Sequence, residues 1–449
     1  MTSGRGNKSK KKHLIWLIVL LFLIVLLAGG YFIFRENQDR TDEKETKEPA
    51  KGGSDEQPER KPDNNSGGQE PDNQEPELTA EEKRELEIDK ILKDMPLEDK
   101  VCQLFFVRPE ALTGVDTATQ AGDMTKEALD SYPVGGVVLF SENIQNEDQL
   151  RTMLVNLQSY SKYPLFTGVD EEGGPLVARV ANSGTIQVPL FPDMQEIGNT
   201  LDPEKAYEVG NTIGGYLKQL GFNVDFAPVA DVAVNPENRV IGARSFGSDA
   251  NLVSQMVARE VEGMQEQDVS AVLKHFPGHG DTSEDKHRVP AVSGGNGDTR
   301  EDSHEQAAIS NKTVEELRST EFLPFQAGME AGADMVMAGH ISVPSITGDN
   351  TPASLSEQII TGCLRDELGY DGIVITDSMS MGAIVNYYDP AGASVMVIQA
   401  GGDMILMPQD FPAARQAVLD GVNNHTITEE RLDQSLRRIY RKKLERVKG

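Results

Sequence analysis

Fourteen consecutive residues, Lys274-His275-Phe276-Pro277-Gly278-His279-Gly280-Asp281-Thr282-Ser283-Glu284-Asp285-Lys286-His287, bring together three histidines and three acids. Asp285 and His287 are two apart, so the carboxylate can hold the imidazole tautomer and raise its basicity, and such a pair gives and retakes a proton near neutral pH. A metal site is the other reading of three histidines. The spacings of four and eight run across Pro and Gly, and no carboxylate triad or cysteine completes a ligand set, so a metal is not expected. For His279, inside Pro-Gly-His-Gly, a structural role competes with a chemical one. Asp377 ends the apolar run Gly372-Ile373-Val374-Ile375-Thr376. A carboxylate there costs desolvation unless it is paired or used; capping a following helix is the structural alternative. A carboxylate nucleophile with a separate proton donor is the minimum equipment of a retaining glycosidase.

These residues need elements to position them. Apolar, strand-like runs occur at 103–107, 136–140, 165–170, 224–232, 271–276, 335–341, 372–378 and 403–408, and amphipathic helical stretches at 203–220, 251–266, 313–331, 355–368 and 412–420. Eight β-then-α units predict an α/β fold, a (β/α)8 TIM-type barrel whose site lies at the C-terminal ends of the strands; a doubly wound open sheet is the alternative. Ionisable groups fall where that site would be. Asp170 closes strand three, Asp231 strand four, Lys274 and His275 lie in strand five, His340 in strand six, and Asp377 closes strand seven. The last helix, 429–448, is basic, and no second domain is expected after the barrel.

The net charge of -29 places no basic stripe outside the first dozen residues and the last helix, which excludes a nucleic-acid partner. Cys102 and Cys363 sit in amphipathic runs and read as buried free thiols rather than a disulfide. Residues 1–12 form a basic head with Arg5, Lys8, Lys10, Lys11 and Lys12 and no acid, and 14–34 carry no charge. That run is long enough to span a bilayer, so residues 13–34 are expected to be an uncleaved anchor with the head cytoplasmic and the remainder outside. A cleaved signal peptide, with Ala28-Gly29-Gly30 near the cut, is the alternative; the absence of cysteine rules out a lipoprotein anchor. Residues 35–80 are Asp, Glu, Asn, Gln, Pro, Gly and Lys with few apolar residues, a flexible acidic tether. Residues 81–449 are expected to be one catalytic domain.

The loop KHFPGHGDTSEDKH, the segment GIVITDSMSMGAI, the strand end GVDEEGG (168–174) and VIGARSFGSD (240–249) resemble the β-N-acetylhexosaminidases of glycoside hydrolase family 3, over residues 88–449. The resemblance implies a (β/α)8 barrel, Asp377 as nucleophile, and His287 as acid/base in a dyad with Asp285. It also implies that Asp170, Arg179, Arg244, Lys274 and His275 bind the N-acetylglucosamine unit. The expected activity is removal of terminal β-linked N-acetylglucosamine from peptidoglycan-derived cell-wall fragments or chitin-type oligosaccharides, by a monomer without cofactor. Three departures stand out. Pro175-Leu176-Val177-Ala178-Arg179 carries an extra residue and lacks the family's first arginine, Asp377 is followed by Ser378 rather than a second Asp, and a polar stretch between Val289 and Lys312 holds a second Asp-x-His, Asp302 and His304. A β-glucosidase or β-xylosidase of the same family is the competing enzyme, and a wall-glycan-binding protein the competing non-enzyme. If 13–34 is an anchor, mass analysis of membrane-extracted protein recovers the intact N-terminus; a chain beginning near Tyr31 identifies a cleaved signal instead.

Overall fold

The computed structural model describes residues 78–284 and 308–447. The basic head, the expected anchor and nearly all of the acidic tether lie outside these residues, as do Asp285, His287, Asp302 and His304. Among the described residues no helix is long and apolar enough to cross a membrane.

All eight apolar runs form strands: β1 Phe105–Val107, β2 Gly136–Val138, β3 Phe166–Val169, β4 Val224–Asp225, β5 Ser270–Phe276, β6 Met335–Ala338, β7 Ile373–Thr376 and β8 Ile405–Leu406. Every pairing is parallel, in the order β7-β6-β5-β4-β3-β2-β1-β8. A parallel bridge between Ile375 and Met404 joins the two outer strands, so the sheet is a nearly closed barrel. Neighbours in sequence are neighbours in space and the order never reverses, which sets aside the doubly wound alternative. Strands covered on both faces need continuous apolar runs, and the residues of β7, Ile-Val-Ile-Thr, are all buried.

Helix ends follow their caps. Pro203–Leu220 starts behind Asp202, whose side chain accepts from the Glu204 N–H at 3.2 Å, and stops at Gly221 with φ 109°. The expected helix at 313–331 is two, Val314–Ser319 and Phe322–Glu330. Thr320 leaves helical geometry with φ −133° between them, and Pro324 fits the first turn of the second. Over 355–368 a short 3-10 turn leads into a π-helix, Gln358–Glu367, where Leu368 N–H reaches the Cys363 carbonyl at 3.0 Å. Cys102 and Cys363 are free and buried.

The barrel interior is filled by aromatic rings matched to glycines. Phe106, Gly136 and Phe166 stand in register on three adjacent strands. The Phe106 ring lies 6.5 Å from that of Phe166 and 5.4 Å, edge-on, from that of Phe226. A Cβ on Gly136 would stand 2.5 Å from the Phe106 ring, and one on Gly168 2.8 Å from it. The two glycines are the space that Phe106 occupies.

The far end of the barrel is closed by the helix Glu429–Arg446. Its Lys443 is buried, donates to Gln103 Oε1 at 2.7 Å and lies 5.2 Å over the Phe166 ring. Asp403, just before β8, meets Arg365, Arg431, Arg438 and the Ser435 hydroxyl; Asp334, just before β6, meets Lys442 and Arg446. Gln103, Asp334 and Asp403 all precede strands, so this helix seals the N-terminal face and leaves the opposite face for chemistry. Gly136→Ala forces a methyl into an aromatic ring and should destabilise the protein by about 1–3 kcal/mol, with partial recovery in Gly136→Ala/Phe106→Leu; denaturant melts that show no loss in the single variant contradict this packing.

Candidate active site

At the C-terminal ends of the strands lies a cleft of about 510 Å³ lined by Asp170, Glu172, Arg179, Arg244, Lys274, His275, His279 and Asp377 among others. Its floor is an array of four charges. Lys274 Nζ stands 2.8 Å from Asp170 Oδ1 and 2.6 Å from Glu172 Oε1. Arg244 grips Glu172 with two parallel bonds, Nε to Oε2 at 2.8 Å and Nη2 to Oε1 at 2.6 Å. Burial pushes the Glu172 carboxyl up, but the Arg244 and Lys274 cations outweigh it and hold the group far below the usual carboxylate range. Burial likewise works against the Lys274 ammonium, and the Asp170 and Glu172 carboxylates raise it above its ordinary value. Two cations and two carboxylates leave the array neutral as a unit, presenting fixed donors and acceptors of the kind that sugar hydroxyls match.

A hairpin-like loop sets the carboxylates. Asp170 follows β3, Glu172 N–H donates to Val177 O at 2.9 Å, and Arg179 N–H donates back to Asp170 O at 3.0 Å. The turn needs Gly173 and Gly174, with φ 77° and 69°, in the left-handed region. Despite the extra residue in 175–179, Arg179 reaches the cleft, its guanidinium 5.2 Å from the Phe140 ring, which Arg108 approaches at 5.0 Å. On β5, the adjacent Lys274 and His275 both line the cleft because the register against β6 shifts between Leu273 and Phe276.

Asp231 orders the histidines. Its Oδ2 lies 2.8 Å from His275 Nδ1, while Oδ1 accepts the backbone N–H of His275 at 3.2 Å and of His279 at 2.7 Å. The carboxylate takes Nδ1–H, which leaves His275 Nε2 as the ring atom for the cleft. Burial lowers the His279 imidazole to about 4, against the opposing pull of the Asp231 carboxylate, so it is neutral at pH 7 and poorly matched to donate a proton there. Asp377 extends the ladder with its N–H on Ala338 O at 2.9 Å, and its Oδ1 accepts from Ser378 N–H at 2.7 Å. The next helix, Gly382–Val385, begins behind Met381, so Asp377 is not its cap. His340 serves the same turn from behind: Nε2 lies 2.8 Å from the Ser378 carbonyl, which can only accept, and Nδ1 takes the Ser354 hydroxyl at 2.8 Å.

With this geometry the comparisons agree. The profile described as "Glycosyl hydrolase family 3 N terminal domain" matches residues 96–294 and 293–442. The chain belongs to glycosyl hydrolase family 3. It is 33% identical over 346 residues to Beta-hexosaminidase A of Pseudoalteromonas piscicida, covering 71% of this chain and 54% of that one, so it spans about half of that relative's length. It is 31% identical over 303 residues to a Beta-hexosaminidase of Stenotrophomonas maltophilia (strain K279a), covering 66% and 82%. A solved glycoside hydrolase family 3 beta-N-acetylglucosaminidase from Paenibacillus sp. str. FPU-7 superposes with a TM-score of 0.70 at 34% identity, over 78% of this chain and 63% of that one.

Within this family 3 chain, six of the eight residues to which the resemblance assigns a role share one cleft: Asp170, Arg179, Arg244, Lys274, His275 and Asp377. Asp285 and His287 fall outside the described residues. Two expectations are corrected. β4 ends at Asp225, and Asp231 lies six residues beyond, behind His275 rather than closing the strand. β6 ends at Ala338, so His340 follows the strand, and it supports the Asp377 turn instead of lining the cleft. Glu172 was missed, although the acidic run after β3 was the signal for it. Glu172→Gln removes the charge that Arg244 and Lys274 share and should cost about 3–5 kcal/mol of stability while raising KM; a variant with unchanged melting temperature and KM refutes the array's role.

Proposed function

We propose that this protein is a retaining β-N-acetylhexosaminidase that removes terminal, non-reducing N-acetylglucosamine from cell-wall or chitin-type oligosaccharides. The observation that carries this reading is that Asp377 lines one cleft with the charge array of Asp170, Lys274, Glu172 and Arg244. In a (β/α)8 TIM-type barrel such a face holds the chemistry, and the relatives named above are a beta-hexosaminidase and a beta-N-acetylglucosaminidase.

The array holds the sugar through its hydroxyls, and Arg179, Arg244 and His275 complete the grip. Asp377 attacks the anomeric carbon while His287, oriented by Asp285, protonates the leaving oxygen; the same dyad then deprotonates water to release the covalent intermediate. Neutral His279 supports the choice of His287 as donor. A carboxylate placed like Asp377 favours this route over attack by the substrate's own acetamido group. Residues 13–34 anchor the chain in the membrane, and 35–80 tether the catalytic domain, acting as a monomer, outside it near the wall.

Asp377→Asn should lower kcat by roughly three orders of magnitude or more without unfolding the protein. A fluorinated N-acetylglucosaminyl trap should label Asp377, and the product released from chitobiose should retain the β-configuration by NMR. Label on another carboxylate, inverted product, or turnover of β-glucosides in place of N-acetylglucosaminides each overturns the corresponding part of this reading.

A further inference from the structure

A second, partly buried charge cluster lies at the foot of the segment that carries His287. Asp281 precedes that segment, and Ser310 and Lys312 follow it. Ser283–Glu284 runs antiparallel to Ala308–Ile309, with Glu284 opposite Ala308, and Ala308–Ile309 runs parallel to Ile341–Ser342 just beyond β6. Ser310 then donates its N–H to Ser342 O at 3.0 Å and its hydroxyl to Asp281 Oδ2 at 3.2 Å. The entry stem is held from the β4 side, where Asn238 Nδ2 donates to His279 O at 2.7 Å.

One ammonium ties these parts together. Lys312 Nζ pairs with the carboxylate of Glu321, which is fully buried, and the Lys312 carbonyl accepts from Ser345 Oγ at 2.6 Å. Glu321 in turn packs on the entry stem: a Cβ on Gly278, whose φ is 120°, would stand 2.2 Å from Glu321 Cγ. Burial raises both the Asp281 and the Glu321 carboxyls, and Lys312 opposes it in each case. Without Lys312 the half-buried Asp281 and the buried Glu321 lose that compensation.

We propose that Lys312 is a positioning residue for proton donation: paired with Glu321 and offsetting Asp281, it fixes the two stems from which the segment carrying His287 departs. This rests on the reading of His287 as the acid. A general acid matters most for a poor leaving group, so the full chain is assayed on chitobiose and on an aryl N-acetylglucosaminide with an acidic phenol, alongside melting temperature. Lys312→Met should lose about tenfold or more kcat/KM on chitobiose beyond its loss on the aryl substrate, and Lys312→Arg should recover most of that difference. Glu321→Gln, which keeps the buried shape, should show the same selective loss. His287→Ala is the reference. If it is leaving-group dependent while Lys312→Met and Glu321→Gln lose both substrates equally, the proposal fails and the reading of His287 stands; if His287→Ala is itself not leaving-group dependent, both fail.

Discussion

The cleft depends on keeping the Lys274 ammonium charged where only 2% of the residue meets solvent. An isolated buried ammonium would shed its proton, because desolvation costs several kcal/mol that a partner must return at hydrogen-bond distance. Asp170 and Glu172 are those partners, and Glu172 in turn requires Arg244. The loop after β3, the middle of β5 and the 3-10 turn at Gly242–Arg244 must therefore all be in place at once. Displacing one of them leaves a charge unpaired in the others, which makes the array a rigid template rather than a set of independent surface contacts.

The barrel supports this by separating polar ends with an apolar middle. Phe106, Phe166 and Phe226 fill the centre, and Gly136 and Gly168 yield the volume that the first ring takes. Beneath them the helix Glu429–Arg446 neutralises Asp334 and Asp403, and above them the array holds the cleft. The buried aromatic layer stands between the two charged ends, and each is paired within itself.

Much of this was legible in the primary structure for a definite reason. Strands buried on both faces must be runs of apolar residues, and all eight appeared as such. A polar residue at the end of such a run has to be paired or used, which exposed Asp170, Lys274, His275 and Asp377. Glu172 escaped because it stands past the strand in an acidic turn, and its partner Arg244 is 72 residues away. Asp231 was misplaced because 224–232 reads as one strand, whereas regular pairing as β4 stops at Asp225 and the bonds to β5 beyond it, from Val272 N–H to Ala227 O, Lys274 N–H to Pro228 O and Ala230 N–H to Lys274 O, end before Asp231. The break at Thr320 was hidden for a similar reason. Glu321 turns inward to meet Lys312, a contact that no local pattern announces.

The seal at the base of the barrel also sets an order of events during synthesis. Asp334 and Asp403 leave the ribosome before residues 429–446, yet Lys442 and Arg446, the cations of Asp334, and Arg431 and Arg438, which join Arg365 on Asp403, all come from that helix. A nascent chain interrupted before that helix would hold Asp334 without these cations and Asp403 with Arg365 alone, and burying carboxylates so short of counter-ions costs several kcal/mol. Partial barrels are thereby disfavoured, and the polypeptide commits to its closed form only once that helix has been made.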